Sequence, residues 1–289
     1  MDIIVIVGPT GVGKTKLSIS LAKSYNAEII NADSVSIYKK LNIGSAKPTI
    51  KEMDGVTHHL IDIKDVCEDY TIYDYQLDAR NKIKEIESRG KNIIIVGGSG
   101  LYLKSALYDY KFSNGTTYKE YSDLTNEEIL TKIKSINSSI DIHPNNRKRL
   151  VRVLNKLEND EEMSNNKDKL LYPVRIIGLT TSRDMLYERI NSRVDLMIKE
   201  GLKEEVESLK DEYKNSRILN TAIGYKEFYD YLFNNKSLDK VIAEIKKNSR
   251  HFAKRQYTFF NNQMDVKWFD VDFDCFDNTI KEVENYIEK

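Results

Sequence analysis

One short glycine-rich segment carries the strongest chemical signal in the sequence. Gly8-Pro9-Thr10-Gly11-Val12-Gly13-Lys14-Thr15 has the spacing of a phosphate-binding loop: a glycine, four residues, a second glycine, a lysine and a hydroxyl residue. In such a loop the glycines let backbone N–H groups turn around an anion, Lys14 reaches the outer phosphate, and the Thr15 hydroxyl can hold Mg²⁺. The segment therefore predicts a site for a diphosphate or a triphosphate.

Two further polar residues follow apolar runs that predict strands. Asp33 comes directly after the run 27–32, and Ser99 follows the run 92–96 within Gly97-Gly98-Ser99-Gly100. Because the carboxyl ends of parallel strands open at one edge of a sheet, we expect Asp33, Ser99 and the phosphate loop to converge there. Asp33 is then a candidate general base for a second substrate. An aspartate is equally common as a turn former, and its place in the sequence does not decide between the two roles.

The elements that must position these residues alternate along the chain. Strands are predicted at 2–7, 27–32, 92–96, 174–179 and 266–271, and amphipathic stretches between the first three predict helices. This alternation is typical of a parallel sheet in a three-layer α/β core. A polar block at 114–172 interrupts it, with helical spacing at 127–136 and 147–157. We predict an α/β fold of the P-loop NTPase type, with core segments 1–113 and 173–289 flanking an inserted helical subdomain, 114–172.

The composition excludes several classes of protein. Lys and Arg total 45 and Asp and Glu total 45, which excludes a histone-like polyanion binder. The apolar runs near the N-terminus are far shorter than the roughly 20 residues that span a bilayer, and Met1-Asp2 does not begin a signal-peptide pattern. Cys67 and Cys275 are too few for a disulfide scaffold and are expected to be buried thiols. We therefore expect a cytoplasmic protein that does not associate with membranes.

Nine short motifs stand in one order along the chain. They are the phosphate loop 8–15 and the segments 31–38, 43–48, 58–62, 97–102, 149–152, 189–195, 222–226 and 253–256. In this order they resemble the bacterial tRNA dimethylallyltransferases, also called tRNA isopentenyltransferases, over nearly the whole chain. One such motif is a weak signal, but nine in the family's order make a chance similarity implausible.

The resemblance implies a reaction and its cofactor. It implies transfer of a dimethylallyl group from dimethylallyl diphosphate to N6 of the adenosine immediately 3′ of the anticodon in tRNA, with Mg²⁺ required and diphosphate released. Asp33 is implied as the base that takes the amine proton, and the phosphate loop, with a metal on Thr15, is implied to stabilise the leaving diphosphate. Ser99 replaces the family's usual threonine, whose hydroxyl helps to hold the diphosphate or the target base.

Chemistry on a stacked base requires that the base leave its stack. The resemblance assigns contacts with the extruded base to Asp33, Ser34, Val35, Ser36 and Ser99. Ser36 stands where the family usually has glutamine, and its short side chain reaches less far toward a base edge. Base selection is therefore expected to depend more on Asp33 and its neighbours.

Two windows break the overall charge balance. Residues 143–156 and residues 246–256 each contain five basic residues and no acidic one, and both predict helices with basic residues on one face. Such stripes neutralise RNA phosphates in some proteins and are merely solvated surfaces in most, so the stripes alone leave both roles open. The resemblance assigns tRNA contacts to Lys148, Arg149, Arg152, Arg250, Lys254 and Arg255.

Several alternatives stay open from the sequence. One of Arg183, Arg189 and Arg193 is expected to hold a phosphate, without a choice among them. The pair His58-His59 favours a structural role over a metal site, because adjacent residues point to different sides. A small-molecule or nucleoside kinase is the main alternative function, and a nucleotide-switched RNA-binding module is a third. The resemblance implies a monomer.

Overall fold

Six parallel strands form one sheet in the computed structural model, which describes residues 2–112, 119–159 and 169–289. The strands are β1 (Ile3–Val7), β2 (Ala27–Asn31), β3 (His58–His59), β4 (Asn92–Val96), β5 (Val174–Thr180) and β6 (Lys267–Asp270). Their order across the sheet is β3-β2-β4-β1-β5-β6, and every neighbouring pair is parallel. The predicted α/β fold with a parallel sheet is confirmed, and β3 is a strand that the sequence patterns did not indicate.

Helices connect and cover the strands. They are α1 (Lys14–Ser24), α2 (Ile50–Met53), α3 (Ile72–Ser88), α4 (Gly100–Leu107), α5 (Asn126–Ile136), α6 (Arg147–Glu158), α7 (Arg183–Lys199), α8 (Leu202–Glu207), α9 (Tyr229–Phe233), α10 (Leu238–Gln263) and α11 (Phe276–Ile287), with short 3₁₀ helices at Lys210–Lys214 and Lys226–Phe228. Within the described ranges, no helix combines the length and the apolar character that crossing a membrane requires.

The central strands are buried on both faces, which explains their unbroken apolar sequence. Along β1 the side chains alternate between two buried clusters: Ile3, Val5 and Val7 belong to one, and Ile4 and Ile6 to the other. This alternation follows from the two-residue period of a strand. Each face of the sheet therefore has its own hydrophobic core.

The chain divides into two compact units. Met1–Asp109 and Leu170–Lys289 form the first, and Tyr110–Lys169 form the second. In the second unit, α5 and α6 pack around a small core that includes Ile129, Ile133 and Leu150. The predicted insertion, 114–172, is shifted toward the C-terminus by a few residues relative to this unit, and its first boundary lies outside the described residues.

The strand register brings the candidate site residues to one edge of the sheet. Asn31 pairs with Val96, Ile6 pairs with Val96, and Val7 pairs with Gly178, so these strands end at nearly the same level. The segments that follow β1, β2 and β4 are the ones that contain the phosphate loop, Asp33 and Ser99. Their predicted convergence at one edge thus follows from the observed topology.

The expectation of buried cysteines is wrong. Cys67 and Cys275 are both exposed. Their apolar neighbours Val66 and Phe276 occupy the buried positions, and the cysteine side chains consequently point outward.

Candidate active site

Residues 8–15 form a tight loop between β1 and α1. Gly8 and Gly13 have φ angles of 137° and 93°, in the region that favours glycine. A Cβ on Gly8 would lie 2.6 Å from the Leu179 carbonyl oxygen, and one on Gly13 would lie 2.5 Å from the Phe276 ring. The loop therefore presents bare backbone at the N-terminus of α1, where the first N–H groups of a helix have no partner within the helix and attract anions.

The Lys14 ammonium group lies against this loop. Its Nζ donates hydrogen bonds to the carbonyl oxygens of Gly8 at 3.0 Å and Pro9 at 2.7 Å. Burial lowers the pKa of Lys14 from 10.5 to about 8; the negative charge of Asp33 opposes this shift, and the positive charge of Arg193 adds to it. A phosphate group placed here would supply negative charge and favour the protonated lysine.

Two adjoining cavities meet at Lys14 and Asp33. The first, of about 450 Å³, is named the P-loop cavity because residues of the segment 10–16 line it. The second, of about 310 Å³, is named the Gln256 cavity after a residue of α10 in its wall. Thr10, Lys14, Asp33, Ser45, Ala46 and Arg193 line both cavities. An anion in the P-loop cavity and an organic group in the Gln256 cavity would thus face each other at these shared residues.

Asp33 is oriented by its own loop. Asn31 accepts a hydrogen bond from the Asp33 N–H at 3.0 Å and donates to the carbonyl oxygens of Asp33 at 3.0 Å and Leu60 at 2.9 Å. One carboxylate oxygen, Oδ1, accepts from the N–H groups of Val35 at 2.9 Å and Ser36 at 3.3 Å. In the part of the chain that the structure describes, no hydrogen-bond donor reaches Oδ2. Asp33 therefore forms the turn with one oxygen and keeps the other available as a proton acceptor.

The turn after β4 is pressed against the turn after β2. The Ser99 N–H donates to the Ala32 carbonyl oxygen at 3.1 Å, and Ser99 Oγ accepts from the Ser34 N–H at 3.1 Å. A Cβ on Gly97 would lie 2.2 Å from the backbone of Ala32. Ser99 lines neither of the two cavities, so its observed contacts support the loop that contains Asp33.

The other predicted site residues divide between the cavities. Ser34 and Val35 line the Gln256 cavity. Ser36 lines the P-loop cavity instead and is only 4% exposed. Thr15, which is exposed, also lines the P-loop cavity, whereas Val12 is fully buried and contributes to the core. Within the segment 33–36, Asp33 therefore lines both cavities, whereas Ser36 lines only the P-loop cavity of the two.

The three candidate arginines of α7 have different surroundings. Arg193 lines both cavities, and burial lowers the pKa of its guanidinium. Arg189 donates from Nε to the Gly11 carbonyl oxygen at 2.9 Å and stacks on Phe273, with 3.9 Å between the guanidinium carbon and the ring centroid. Arg183 lies over Tyr187 and lines a separate cavity. Arg193 is therefore the arginine placed where both ligands would meet.

One wall of the Gln256 cavity was not predicted from the sequence. The Glu205 carboxylate accepts hydrogen bonds from the N–H groups of Asn42 at 3.0 Å, Ile43 at 2.9 Å and Gly44 at 3.1 Å, and from the Tyr225 hydroxyl at 2.7 Å. A Cβ on Gly44 would lie 2.6 Å from the Tyr225 ring. The motifs 43–48 and 222–226 gave the only sequence signal, and nothing in the sequence indicated that they touch.

Gln256 is a second residue to which sequence reasoning assigned no role. It is 5% exposed and donates from Nε2 to the Gly98 carbonyl oxygen at 3.1 Å. The helical spacing of Ala253, Gln256 and Phe260, all buried on α10, is the pattern that marks it as an inward-facing polar residue.

The basic residues of α10 differ in their exposure and in their contacts. Arg250 donates from Nη1 to Asn191 Oδ1 at 2.6 Å. Lys254 is exposed and lines, with Arg183, the separate cavity of about 460 Å³. Arg255, also exposed, lines the Gln256 cavity. Lys254 and Arg255 therefore present charge to solvent, while Arg250 also has a structural contact.

In the second unit, the basic residues of α6 divide in the same way. Arg147 donates to the carbonyl oxygens of Leu124 at 2.8 Å and Tyr121 at 2.6 Å, and thereby ties the start of the helix to the preceding segment. Lys148, Arg149 and Arg152 are exposed. Their positive charges are available to a polyanion.

The two adjacent histidines have separate structural contacts. His59 Nε2 lies 2.6 Å from Glu28 Oε2, and His58 Nδ1 lies 2.9 Å from the Val56 carbonyl oxygen. Across residues 2–112, 119–159 and 169–289, no three His, Cys, Asp or Glu side chains converge into a group that could hold a metal ion.

The fold and the site define a P-loop protein with a phosphate cavity and a second cavity that share a lysine and a carboxylate. A family model described as IPP transferase matches residues 36–263. The chain belongs to the IPP transferase family.

Individual relatives agree with this assignment. A tRNA dimethylallyltransferase of Bacillus pumilus is 46% identical, with 99% of this chain and 95% of the relative covered, and one of Bacillus licheniformis is 47% identical over 93% and 90%. The crystal structure of a tRNA isopentenylpyrophosphate transferase from Bacillus halodurans has a TM-score of 0.78 and 40% identity, covering 99% of this chain and 95% of that one. A eukaryotic dimethylallyltransferase acting on tRNA has a TM-score of 0.77 and 28% identity, covering 93% and 73%.

Proposed function

We propose that this enzyme transfers a dimethylallyl group from dimethylallyl diphosphate to N6 of the adenosine immediately 3′ of the anticodon in tRNA. The observation that carries the proposal is the junction of the two cavities, where Lys14 and Asp33 belong to both walls. A diphosphate on one side and an amine on the other would react across this junction. The family assignment and the names of the relatives support the same reaction.

The reaction exchanges one bond for another. The N6 nitrogen forms a bond to the allylic carbon while the bond from that carbon to the diphosphate oxygen breaks, and the electron pair of the broken bond leaves with the diphosphate. The amine proton passes to Asp33 Oδ2, the oxygen that no described donor occupies. The hydrogen bonds from Val35 and Ser36 to Oδ1 hold the carboxylate in one orientation for this transfer.

The leaving diphosphate gains negative charge as it departs, and the P-loop cavity supplies positive partners for it. The backbone N–H groups of 8–15 and the Lys14 ammonium group are the first of these. Arg193 is the second, because it lines the same cavity and its buried guanidinium, which has Glu52 and Asp33 among its charged neighbours, forms no salt bridge with a carboxylate among the described residues. Arg189 also lines this cavity, but its Nε is engaged with the Gly11 carbonyl oxygen, so its main contribution is to hold the loop in place.

The P-loop cavity has a donor set that fits Mg²⁺. This ion prefers oxygen ligands and is commonly bound by one or two protein oxygens together with substrate phosphates. The Thr15 hydroxyl and the carboxylates of Asp33 and Glu52 line the cavity. Thr15 is the residue that would hold the ion, and the ion's charge would stabilise the departing diphosphate.

Ser99 acts as a positioning residue in this proposal. Its Oγ accepts from the Ser34 N–H and so fixes the loop that supplies Asp33, Ser34 and Val35 to the Gln256 cavity. These three residues are the ones that would meet the extruded base. Ser36 lines the P-loop cavity, so in this proposal it contributes to the phosphate side, whereas its contact with the base stays a prediction from the sequence.

The RNA is expected to contact both units. Lys148, Arg149 and Arg152 on α6, and Arg250, Lys254 and Arg255 on α10, are the basic residues proposed to bind its phosphates. Basic residues that contact the phosphates position the RNA, and recognition of the extruded base supplies the specificity. The proposal places the enzyme in the cytoplasm with its tRNA substrate, acting as a monomer.

The test is a transfer assay. The protein is incubated with dimethylallyl diphosphate, Mg²⁺ and unmodified tRNA, and the RNA digest is examined by mass spectrometry for an adenosine that has gained one five-carbon unit. A matched tRNA with guanosine at the target position is the control and should gain nothing. Absence of the product with correctly folded protein would overturn the proposal, and consumption of ATP on a small molecule would favour the kinase alternative.

A further inference from the structure

Gln256 has a buried amide that is only half satisfied. Its Nε2 donates to the Gly98 carbonyl oxygen at 3.1 Å, and this contact fixes the orientation of the amide because a carbonyl oxygen only accepts. The other amide atom, Oε1, is buried and has no hydrogen-bond partner within the described ranges. Buried polar atoms of folded proteins are nearly always paired, so an exception in the wall of a cavity indicates a partner that arrives from outside.

The position of this amide is rigidly determined. A Cβ on Gly98 would lie 2.1 Å from Gln256 Nε2, so the glycine is what allows the contact. Gln256 stands on α10, a helix of 26 residues whose neighbouring residues Ala253 and Phe260 are fully buried. A side chain held at both its backbone and its amide nitrogen presents its oxygen in one direction.

The chemistry of the two substrates decides which of them would pair with Oε1. The dimethylallyl group has no hydrogen-bond donor, and an ionised diphosphate only accepts hydrogen bonds. The amino group of adenine carries two N–H bonds, of which Asp33 receives one. Asp33 and Gln256 line the same cavity, so the second N–H has an acceptor available.

We propose that Gln256 Oε1 accepts a hydrogen bond from the amino group of the acceptor adenine, and that Gln256 is thereby a specificity residue; this rests on the proposed function. A base with a carbonyl group in place of the amino group would bring the lone pairs of its oxygen against Gln256 Oε1. Neither of these two oxygens would then have a hydrogen-bond donor. Ser36 lines the P-loop cavity and not the Gln256 cavity, so Gln256 supplies the amide that recognises the base edge.

A double-mutant cycle tests the contact directly. One partner is changed by replacing the target adenosine of an anticodon stem-loop with purine riboside, which lacks the amino group. The other is changed by Gln256→Met, which keeps the length and removes the acceptor. In the wild type, loss of the amino group is expected to weaken stem-loop binding about tenfold, measured by titration without dimethylallyl diphosphate. In Gln256→Met, loss of the amino group is expected to weaken stem-loop binding only about twofold.

Two further variants separate base recognition from support of the turn. Gln256→Glu keeps an acceptor oxygen but loses the donor to Gly98 that orients the side chain, so it should retain more of the dependence on the amino group than Gln256→Met and less than the wild type. Ser249 also lies on α10 and lines the same cavity, and Ser249→Ala should leave that dependence unchanged. The proposal is wrong if removal of the amino group weakens binding equally in the wild type and in Gln256→Met, or if Ser249→Ala reduces the dependence as much as Gln256→Met does.

The outcomes also distinguish this inference from the proposed function. Transfer to unmodified tRNA is measured first with the wild type. Failure of that transfer would overturn the proposed function, whereas normal transfer without energetic coupling between Gln256 and the amino group would overturn this inference alone.

Discussion

The two cavities at the edge of the sheet are built on different principles. The P-loop cavity takes most of its anion-binding groups from one continuous segment, 8–15, where backbone N–H groups lie at a helix N-terminus, and Arg193 of α7 adds a charge from outside that segment. The Gln256 cavity is assembled from side chains of distant segments, among them the turn at 222–226, Phe252 and Gln256. The difference teaches that holding a phosphate needs local geometry, whereas recognising a base needs the tertiary fold.

Some residues belong to the walls of both cavities and others to only one. The contributions of the two cavities to the reaction can therefore be separated by substitution. Substitutions of residues that belong to both walls should affect chemistry most. Substitutions confined to one side should change the kinetic constants of one substrate and leave those of the other nearly unaltered.

Replacement of Asp33, the shared carboxylate, is expected to have the largest effect. Asp33→Asn keeps the size and the turn-forming oxygen but removes the proton acceptor, so kcat should fall by about 10² to 10⁴. The Kd of the anticodon stem-loop should stay within about threefold of the wild type, because the side chain still fits. Single-turnover transfer and equilibrium titration measure the two quantities. Strong loss of binding with normal turnover of bound RNA would remove Asp33 from its role as base.

Replacement of Lys14 should act mainly through the diphosphate. Lys14→Met removes the ammonium group that faces the shared wall, and kcat/KM for dimethylallyl diphosphate is expected to fall about 100-fold. Lys23→Met is the matched control: Lys23 lies on the same helix, and its ion pair with Asp54 is exposed, so a change within about twofold is expected. An effect on RNA affinity as large as that on the diphosphate would contradict the assignment of Lys14 to the phosphate side.

Much of the P-loop cavity was predictable from sequence, and the reason is physical. Residues 8–15 specify their own conformation, because the glycines and the start of α1 are local features. Asp33 was found in the same way, since it follows a strand whose carboxyl end had to open at the same edge.

The Gln256 cavity was not predictable, because its contacts join segments far apart in the chain. Glu205 binds the backbone of 42–44, and Gln256 binds Gly98 across a sequence separation of 158 residues. The burial of single residues was not predictable either: Cys67 was expected to be buried and is exposed beside the buried Val66. The periodicity of a sequence does not indicate which distant residues come into contact in the fold.

Two arginines of α7 are expected to contribute unequally to diphosphate binding in the P-loop cavity. Arg193→Gln should raise the KM for dimethylallyl diphosphate about 30-fold, since a charged donor to a phosphate is lost. Arg189→Gln should raise it only a fewfold, because Arg189 is engaged with Gly11 and Phe273. Initial rates at saturating tRNA measure both. A larger effect at Arg189 than at Arg193 would reverse the two roles.

The pH dependence of the reaction should reveal the buried lysine. The pKa of Lys14 is lowered to about 8, so the free enzyme loses this charge as the pH rises through that value. From pH 7 to pH 9, kcat/KM for dimethylallyl diphosphate should fall about tenfold, since kcat/KM reports the ionisation of the free enzyme. The fall should be absent from the profile of Lys14→Met; if it persists there, another group is responsible.

The smallest effects are expected at the exposed charges of α6, which belong to the RNA side of the comparison. Lys148, Arg149 and Arg152, each replaced by alanine, should weaken stem-loop binding about two- to fivefold and reduce the slope of log Kd against log salt by about one. Lys134→Ala, an exposed lysine of α5 in the same unit, is the control and should alter neither quantity.

The same α6 variants also test whether charge and chemistry are separate. A phosphate contact positions the RNA and does not touch the reacting amine, so single-turnover transfer from saturated complexes should keep its wild-type rate. If an α6 variant lowers that rate as well as the affinity, the second unit influences how the base enters the Gln256 cavity. If it changes the affinity without changing the salt dependence, the lost interaction is not with a phosphate.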